Sequence, residues 1–97
     1  MRRYALSGKA EEDIIAIFMY GVAQFGIQQA ERYHDLLERT FQFLAENPEA
    51  ARERVEITPP VRIHPIESHI VIYTVDENRD IFVVRVRHGC EDWPRDG

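Results

Sequence analysis

The stretch Ile81-Phe82-Val83-Val84-Arg85-Val86-Arg87 (IFVVRVR) repeats with a period of two rather than 3.6, and that reading decides the fold. As a strand it places Phe82, Val84 and Val86 on one face and Ile81, Val83, Arg85 and Arg87 on the other. The first face is expected to meet a core, and the second to hold its arginines toward solvent or a partner. Directly upstream, Asp76-Glu77-Asn78-Arg79-Asp80 has the composition of a polar hairpin loop, and His69–Val75 (HIVIYTV) reads as the strand it returns to. Val61-Arg62-Ile63-His64-Pro65 supplies a further short strand. Before it, residues 49–60 read as a polar connector with at most one helical turn, ending in Thr58-Pro59-Pro60.

Further toward the N-terminus the period changes to that of a helix. Ala30, Tyr33, Leu37, Phe41 and Leu44 form one apolar stripe, Glu31, Arg32, Asp35, Glu38 and Arg39 cover the other side, and Asn47-Pro48 stops the helix for want of a backbone donor. An earlier helix over 8–25 carries Ile14, Ile17, Phe18, Val22 and Phe25 as its stripe, widened by Ile15 and Met19. Ser7 is its N-cap, with Glu11, Glu12 and Asp13 near the positive end of the dipole, and Gly26 suits its C-terminal turn. Arg3-Tyr4-Ala5-Leu6 precedes it as a short strand. The sum is an α+β domain over residues 1–97, ordered β-α-α-β-β-β: an antiparallel helix hairpin packed on a mostly antiparallel sheet.

Composition narrows the function classes. The 97 residues carry a net charge of −5, with ten acids against seven bases in residues 1–60 and seven against five in 61–97. Lys9 is the single lysine. A surface that grips duplex DNA or ribosomal RNA neutralises phosphates with clustered lysine and arginine, and no such basic region exists here, so direct nucleic-acid binding is not expected. Cys90 is the only cysteine and has no internal disulfide partner. Met1-Arg2-Arg3-Tyr4-Ala5-Leu6 lacks the apolar run of a signal peptide, and no apolar run is long enough to span a bilayer, so a cytoplasmic protein without membrane contact is expected.

Several residues are chemically capable. RNA cleavage on the sheet needs a base for the 2′-hydroxyl, cations for the phosphorus oxygens and an acid for the leaving oxygen; Arg62, Arg85 and Arg87 supply cations, and Tyr73 or His88 a proton-transfer group. The competing reading makes Arg85 and Arg87 strand arginines paired with acids such as Glu91 or Asp92, and Tyr73 a half-buried packing residue. His64, Glu67, His69, His88 and Cys90 are metal-ligand types, but their spacing matches no zinc pattern, and no metal or cofactor is expected. Glu91 and Asp92 would push the Cys90 thiol pKa upward, against a nucleophile. His34 falls on the polar side of the second helix, where solvent is its expected environment. Trp93 either caps the core or anchors a partner.

Taken in order, Leu6-Ser7 with Ala10-Glu11-Glu12-Asp13-Ile14, Glu46-Asn47-Pro48, Val61-Arg62 leading to Pro65, His69-Ile70-Val71-Ile72-Tyr73, Val84-Arg85-Val86 with His88-Gly89, and Asp92-Trp93 resemble the ParE toxins of the RelE/ParE superfamily. The resemblance covers nearly the whole chain and implies the same fold. It implies a toxin of a type II toxin–antitoxin pair that inhibits DNA gyrase and replication by binding, held inactive by a ParD-like antitoxin, with no catalytic residue. RelE-type relatives cut messenger RNA on the ribosome, and Arg62 and Arg85 match places where they carry functional arginines. Those cutters are typically strongly basic, however, and this chain is acidic. The expected target contacts are Arg62, Arg85, Arg87 and Trp93, and the expected antitoxin contacts are Ile15, Met19 and Val22. The chain departs from the family pattern at Glu67-Ser68, where a glycine is usual, at Arg87, where an apolar residue is commoner, and at Cys90-Glu91, often a basic pair.

Overall fold

Ser7 marks the point where the chain turns from strand to helix. In the computed structural model, which describes residues 3–89, its hydroxyl accepts the Ala10 N–H at 2.9 Å and donates to the Val84 carbonyl at 2.7 Å. One side chain thus caps a helix and ties its start to the last strand. Cys90 and Trp93 lie outside the described residues.

Strand β1 (Tyr4–Leu6) precedes helix α1 (Gly8–Phe25), and α2 (Ile27–Glu46) follows after the single residue Gly26. Gly26 has φ +93°, a backbone state that a Cβ disfavours, and this lets the two helices fold back on each other with almost no loop. Then come β2 (Glu53–Arg54), β3 (Val61–Ile66), β4 (His69–Val75) and β5 (Ile81–His88). The sheet order is β1-β5-β4-β3-β2, antiparallel throughout except that β1 runs parallel to β5. The connector expected over 49–60 therefore contains a strand, β2, which lies opposite Val61 and Arg62.

The helix pair covers one sheet face, and the core lies between. Ala10 and Ile14 from α1 and Leu37, Phe41 and Leu44 from α2 meet Val71, Tyr73, Val83 and Val86. At roughly 1.5–3 kcal/mol for each large apolar side chain removed from water, this layer is the main source of stability. Tyr4 joins it through a tilted ring contact with Phe41, 5.4 Å between centroids.

The face assignment of the last strand differs from the simple alternation. Ile81 and Val83 point into the core at 2% and 0% exposure, while Phe82 is 43% exposed. Val86 is core as well, because a bulge intervenes: Tyr73 lies opposite Val83 and Ile72 opposite Arg85, so Val84 has no partner in the register. One extra residue inverts the parity of every later position on the strand. Phe25, expected in the buried stripe of α1, is exposed at the tip of the hairpin.

The two hairpins turn by local chemistry. Asp76 Oδ1 accepts the N–H groups of Asn78 and Asp80 and holds the β4–β5 loop. Between β3 and β4 the turn is Glu67-Ser68, and Glu67 takes φ +52° while Ser68 does not turn positive. That sign pattern belongs to a II′ turn, whose first position usually takes glycine, so this turn holds a side chain where the backbone resists one.

Candidate functional site

Strand β1 ends at Leu6, opposite Val83, but β5 runs on to His88. Along that margin α1 takes the place of a strand. The Asp13 carboxylate accepts Arg85 Nε at 2.8 Å and Nη2 at 3.0 Å, and its Oδ2 also accepts the Val86 backbone N–H at 3.0 Å. A forked pair of this kind fixes direction as well as distance. The ion pair is largely enclosed, with side-chain exposures of 23% for Arg85 and 16% for Asp13. Burial pushes the Asp13 carboxyl pKa up, but the hydrogen bonds from Arg85 and Val86 and the charges of Arg85 and Arg87 outweigh it and hold it below the ordinary carboxylate value.

This clamp forms one wall of a groove of about 730 Å³ between the helix hairpin and the end of the sheet. Along α1 and the hairpin tip its lining is Ile17, Tyr20, Gly21 and Phe25. Gly21 admits α2 closely: a Cβ there would lie 3.3 Å from that of Ala30. On the sheet side stand Glu67, His69, Arg87 and His88. His69 and His88 face each other across β4 and β5, 5.5 Å between ring centroids. The Tyr33 hydroxyl sits 2.7 Å from His69 Nδ1 and donates to the Ile66 carbonyl at 3.2 Å. The one hydroxyl thus joins α2 both to the end of β3 and to the His69 ring. Burial pushes the Tyr33 hydroxyl pKa up. His34, expected in solvent, has a side chain that is 39% exposed with Nε2 3.4 Å from the Glu38 carboxylate, while its ring packs edge-on against Phe18 of α1 and its Nδ1 has no hydrogen-bond partner among the described residues.

Arg85 and Arg87 are thus brought to one groove, whereas Arg62 belongs to the other end of the sheet. Its Nη1 donates to the Ala51 carbonyl at 2.6 Å, beside Tyr73. Tyr73 is fully buried rather than half-buried; its hydroxyl donates to the Pro48 carbonyl at 2.9 Å, and burial pushes its pKa up. Arg62 and Tyr73 together fasten the turn after α2. Of the three apolar candidates on α1, Ile15 and Met19 are each 63% exposed, one helical turn apart and outside the groove lining, while Val22 is half-buried. Among the described residues no group of three acidic, histidine or cysteine side chains is placed to hold a metal. No described helix is long and apolar enough to cross a membrane.

From sequence alone Asp13 is only a charge near a helix start. Its partner lies 72 residues away, and no local signal announces such a pair. Tyr33 likewise reads as core spacing alone.

Comparison with known proteins agrees with the architecture. The family model described as "ParE toxin of type II toxin-antitoxin system, parDE" matches residues 4–93. The chain is 34% identical over 93 residues to Toxin ParE1 of Mycobacterium tuberculosis, covering 96% of this chain and 95% of that protein. It is 31% identical over 88 residues to Toxin ParE1 of Caulobacter vibrioides, covering 91% and 90% respectively. In fold it is similar to a chain of the chromosomal ParDE TA system from P. aeruginosa, with a TM-score of 0.76 at 20% identity, covering 91% of this chain and 96% of that one.

Proposed function

Because this chain belongs to the ParE toxin family of type II toxin–antitoxin systems, we propose that it poisons by adhesion: it binds DNA gyrase in the cytoplasm and blocks replication, until a ParD-like antitoxin covers it. No bond chemistry is assigned to any residue. The observation that carries this reading is how three of the five nuclease candidates are spent. Tyr73 is sealed in the core, and Arg62 holds a turn. Arg85 is clamped by Asp13. A cutter needs an acid or base and several cations that converge on one phosphate; with Tyr73, Arg62 and Arg85 serving the fold, Arg87 and His88 are what the groove keeps of that set.

What remains suits binding. Ile15 and Met19 form an exposed apolar stripe on α1, Tyr20 and Phe25 border the groove, and Arg87 stands at its sheet end. Arg87, with Trp93 beyond the described residues, is the proposed contact for the target, and the apolar surface of α1, Val22 included, that for the antitoxin. Apolar anchors flanked by an arginine are the composition of an interface hot spot.

The test is a pair of assays on one preparation. Purified protein is expected to inhibit gyrase supercoiling of relaxed plasmid and to leave messenger RNA whole in a translating extract. Cleaved transcripts alongside unimpaired supercoiling would replace this reading with that of a ribosome-dependent endoribonuclease.

A further inference from the structure

Three consecutive residues of β4, Val71, Ile72 and Tyr73, are all 0% exposed. Neighbouring residues of a strand point to opposite faces, so the sheet is covered on both sides at this point. Val71 and Tyr73 belong to the core that α1 and α2 close on one face. Ile72 takes no part in that core and lies on the other face, between Ile63 of β3 and Arg85 of β5. All the described strands are in the sheet and both described helices are on the Tyr73 side, so no described element lies over Ile72. The connector of residues 55–60 is exposed at every position but the half-buried Ile57 and forms no packed layer. The Arg85 guanidinium is drawn aside to Asp13. The cover is also local, because Phe82, on the same outer face opposite Thr74, is 43% exposed.

Residues 1–2 and 90–97 lie outside the described ones. The first two are too distant to supply the cover: Arg3 is held beside Asp80, about 16 Å of strand before Arg85, and two residues span about 7 Å. At the other end, Gly89 donates its N–H to the Ser68 carbonyl at 2.7 Å, which keeps β5 paired to its end and fixes where the chain leaves the sheet. Trp93 follows Gly89 by four residues, and Arg85 precedes it by four. A chain that doubles back over the sheet at Gly89 brings Trp93 level with Arg85 and its neighbour Ile72. That return needs about 13 Å, and residues 90–97 span up to about 28 Å. The alternative route, into the groove, leads to Tyr20 and Phe25, which keep 64% and 68% exposure.

We propose that the outer face of the sheet is the docking surface for the chain's own C-terminal segment, with the Trp93 indole laid over Ile72. After Trp93 and Pro94 only Arg95, Asp96 and Gly97 remain, with no apolar side chain to extend the cover, which accords with the exposure of Phe82. One face of the indole packs on the sheet and the other stays at the surface. The target contact assigned above is thereby held in place before any target arrives, and gives up little freedom on binding. This placement belongs to the free chain, whichever target or antitoxin it meets.

The test uses the full chain without a partner, in which Trp93 is the only tryptophan. Its fluorescence is expected to resist acrylamide quenching far better in the folded chain than in urea, and the Ile72 methyl resonances are expected to move when Trp93 is changed. Trp93→Ala is expected to lower Tm by about 10 °C or more, since it uncovers a large buried side chain. Ile72→Ala combined with Trp93→Ala should lose less than the two single variants together, because each side chain covers the other. Far-ultraviolet circular dichroism checks that the variants fold, and if Trp93→Ala does not, quenching and nuclear Overhauser contacts between Trp93 and Ile72 in the unaltered chain decide. Quenching in the folded chain equal to that in urea, or no such contacts, overturns the inference. So does a Tm within about 3 °C for Trp93→Ala with the Ile72 methyls unmoved, and either result leaves the gyrase and antitoxin readings standing.

Discussion

Replacing Asp13 with alanine removes three hydrogen-bond acceptances at once: two from Arg85 and one from the Val86 backbone. Each bond to a charged group contributes about 1.5–3 kcal/mol, and stripping one partner from a buried pair costs about 3–5 kcal/mol. The Arg85 side chain is 23% exposed and can turn partly toward water, which places the expected loss lower, at about 2–3 kcal/mol. For a domain of this size that lowers Tm by roughly 10–20 °C. Urea unfolding followed by circular dichroism measures it, and Arg85→Met completes a double-mutant cycle. The double variant should lose less than the two single variants together, because an unpaired charge is costlier than none. The pH dependence has a definite sign. The folded Asp13 pKa is depressed, so its contribution is present above the ordinary carboxylate value of 3.8 and is lost as pH falls through the lowered folded value. A loss under about 0.5 kcal/mol on Asp13→Ala would mean that the clamp is ornamental and that α1 is held by packing alone.

Two further predictions separate structure from binding. Tyr73→Phe strips the Pro48 carbonyl of its donor and should destabilise the domain by about 1–3 kcal/mol while growth arrest on expression persists; arrest abolished in a still-folded variant would revive Tyr73 as a catalytic group. The double change Ile15→Glu with Met19→Glu alters side chains that are each 63% exposed, so stability should shift by no more than about 0.5 kcal/mol while antitoxin affinity falls about tenfold or more; unchanged affinity by calorimetry would remove this stripe from the interface.

Where the sequence was legible, the signals were local. Ser7, Gly26 and Asn47-Pro48 punctuate the helices, and the stripe from Ala30 to Leu44 forms the buried side of α2 as its spacing implies. What escaped was set by distant partners. The strand β2 has two charged residues, Glu53 and Arg54, with no apolar alternation to reveal it. The bulge at Val84 inverts a parity that composition cannot show, since Val, Phe and Ile suit either face. Arg62 and Arg85 announce charge, but their partners, the Ala51 carbonyl and the Asp13 carboxylate, are chosen by the assembled sheet. The groove exists only once hairpin and sheet have met.

The parallel pairing of β1 with β5 joins Tyr4–Leu6 to Ile81–Val83. During synthesis the first strand must wait for nearly every later residue before it finds its neighbour, and the Asp13 clamp waits longer still. Contacts so remote along the chain make for slow closure. A nascent molecule therefore cannot complete its sheet, or the groove beside it, until β5 has been made.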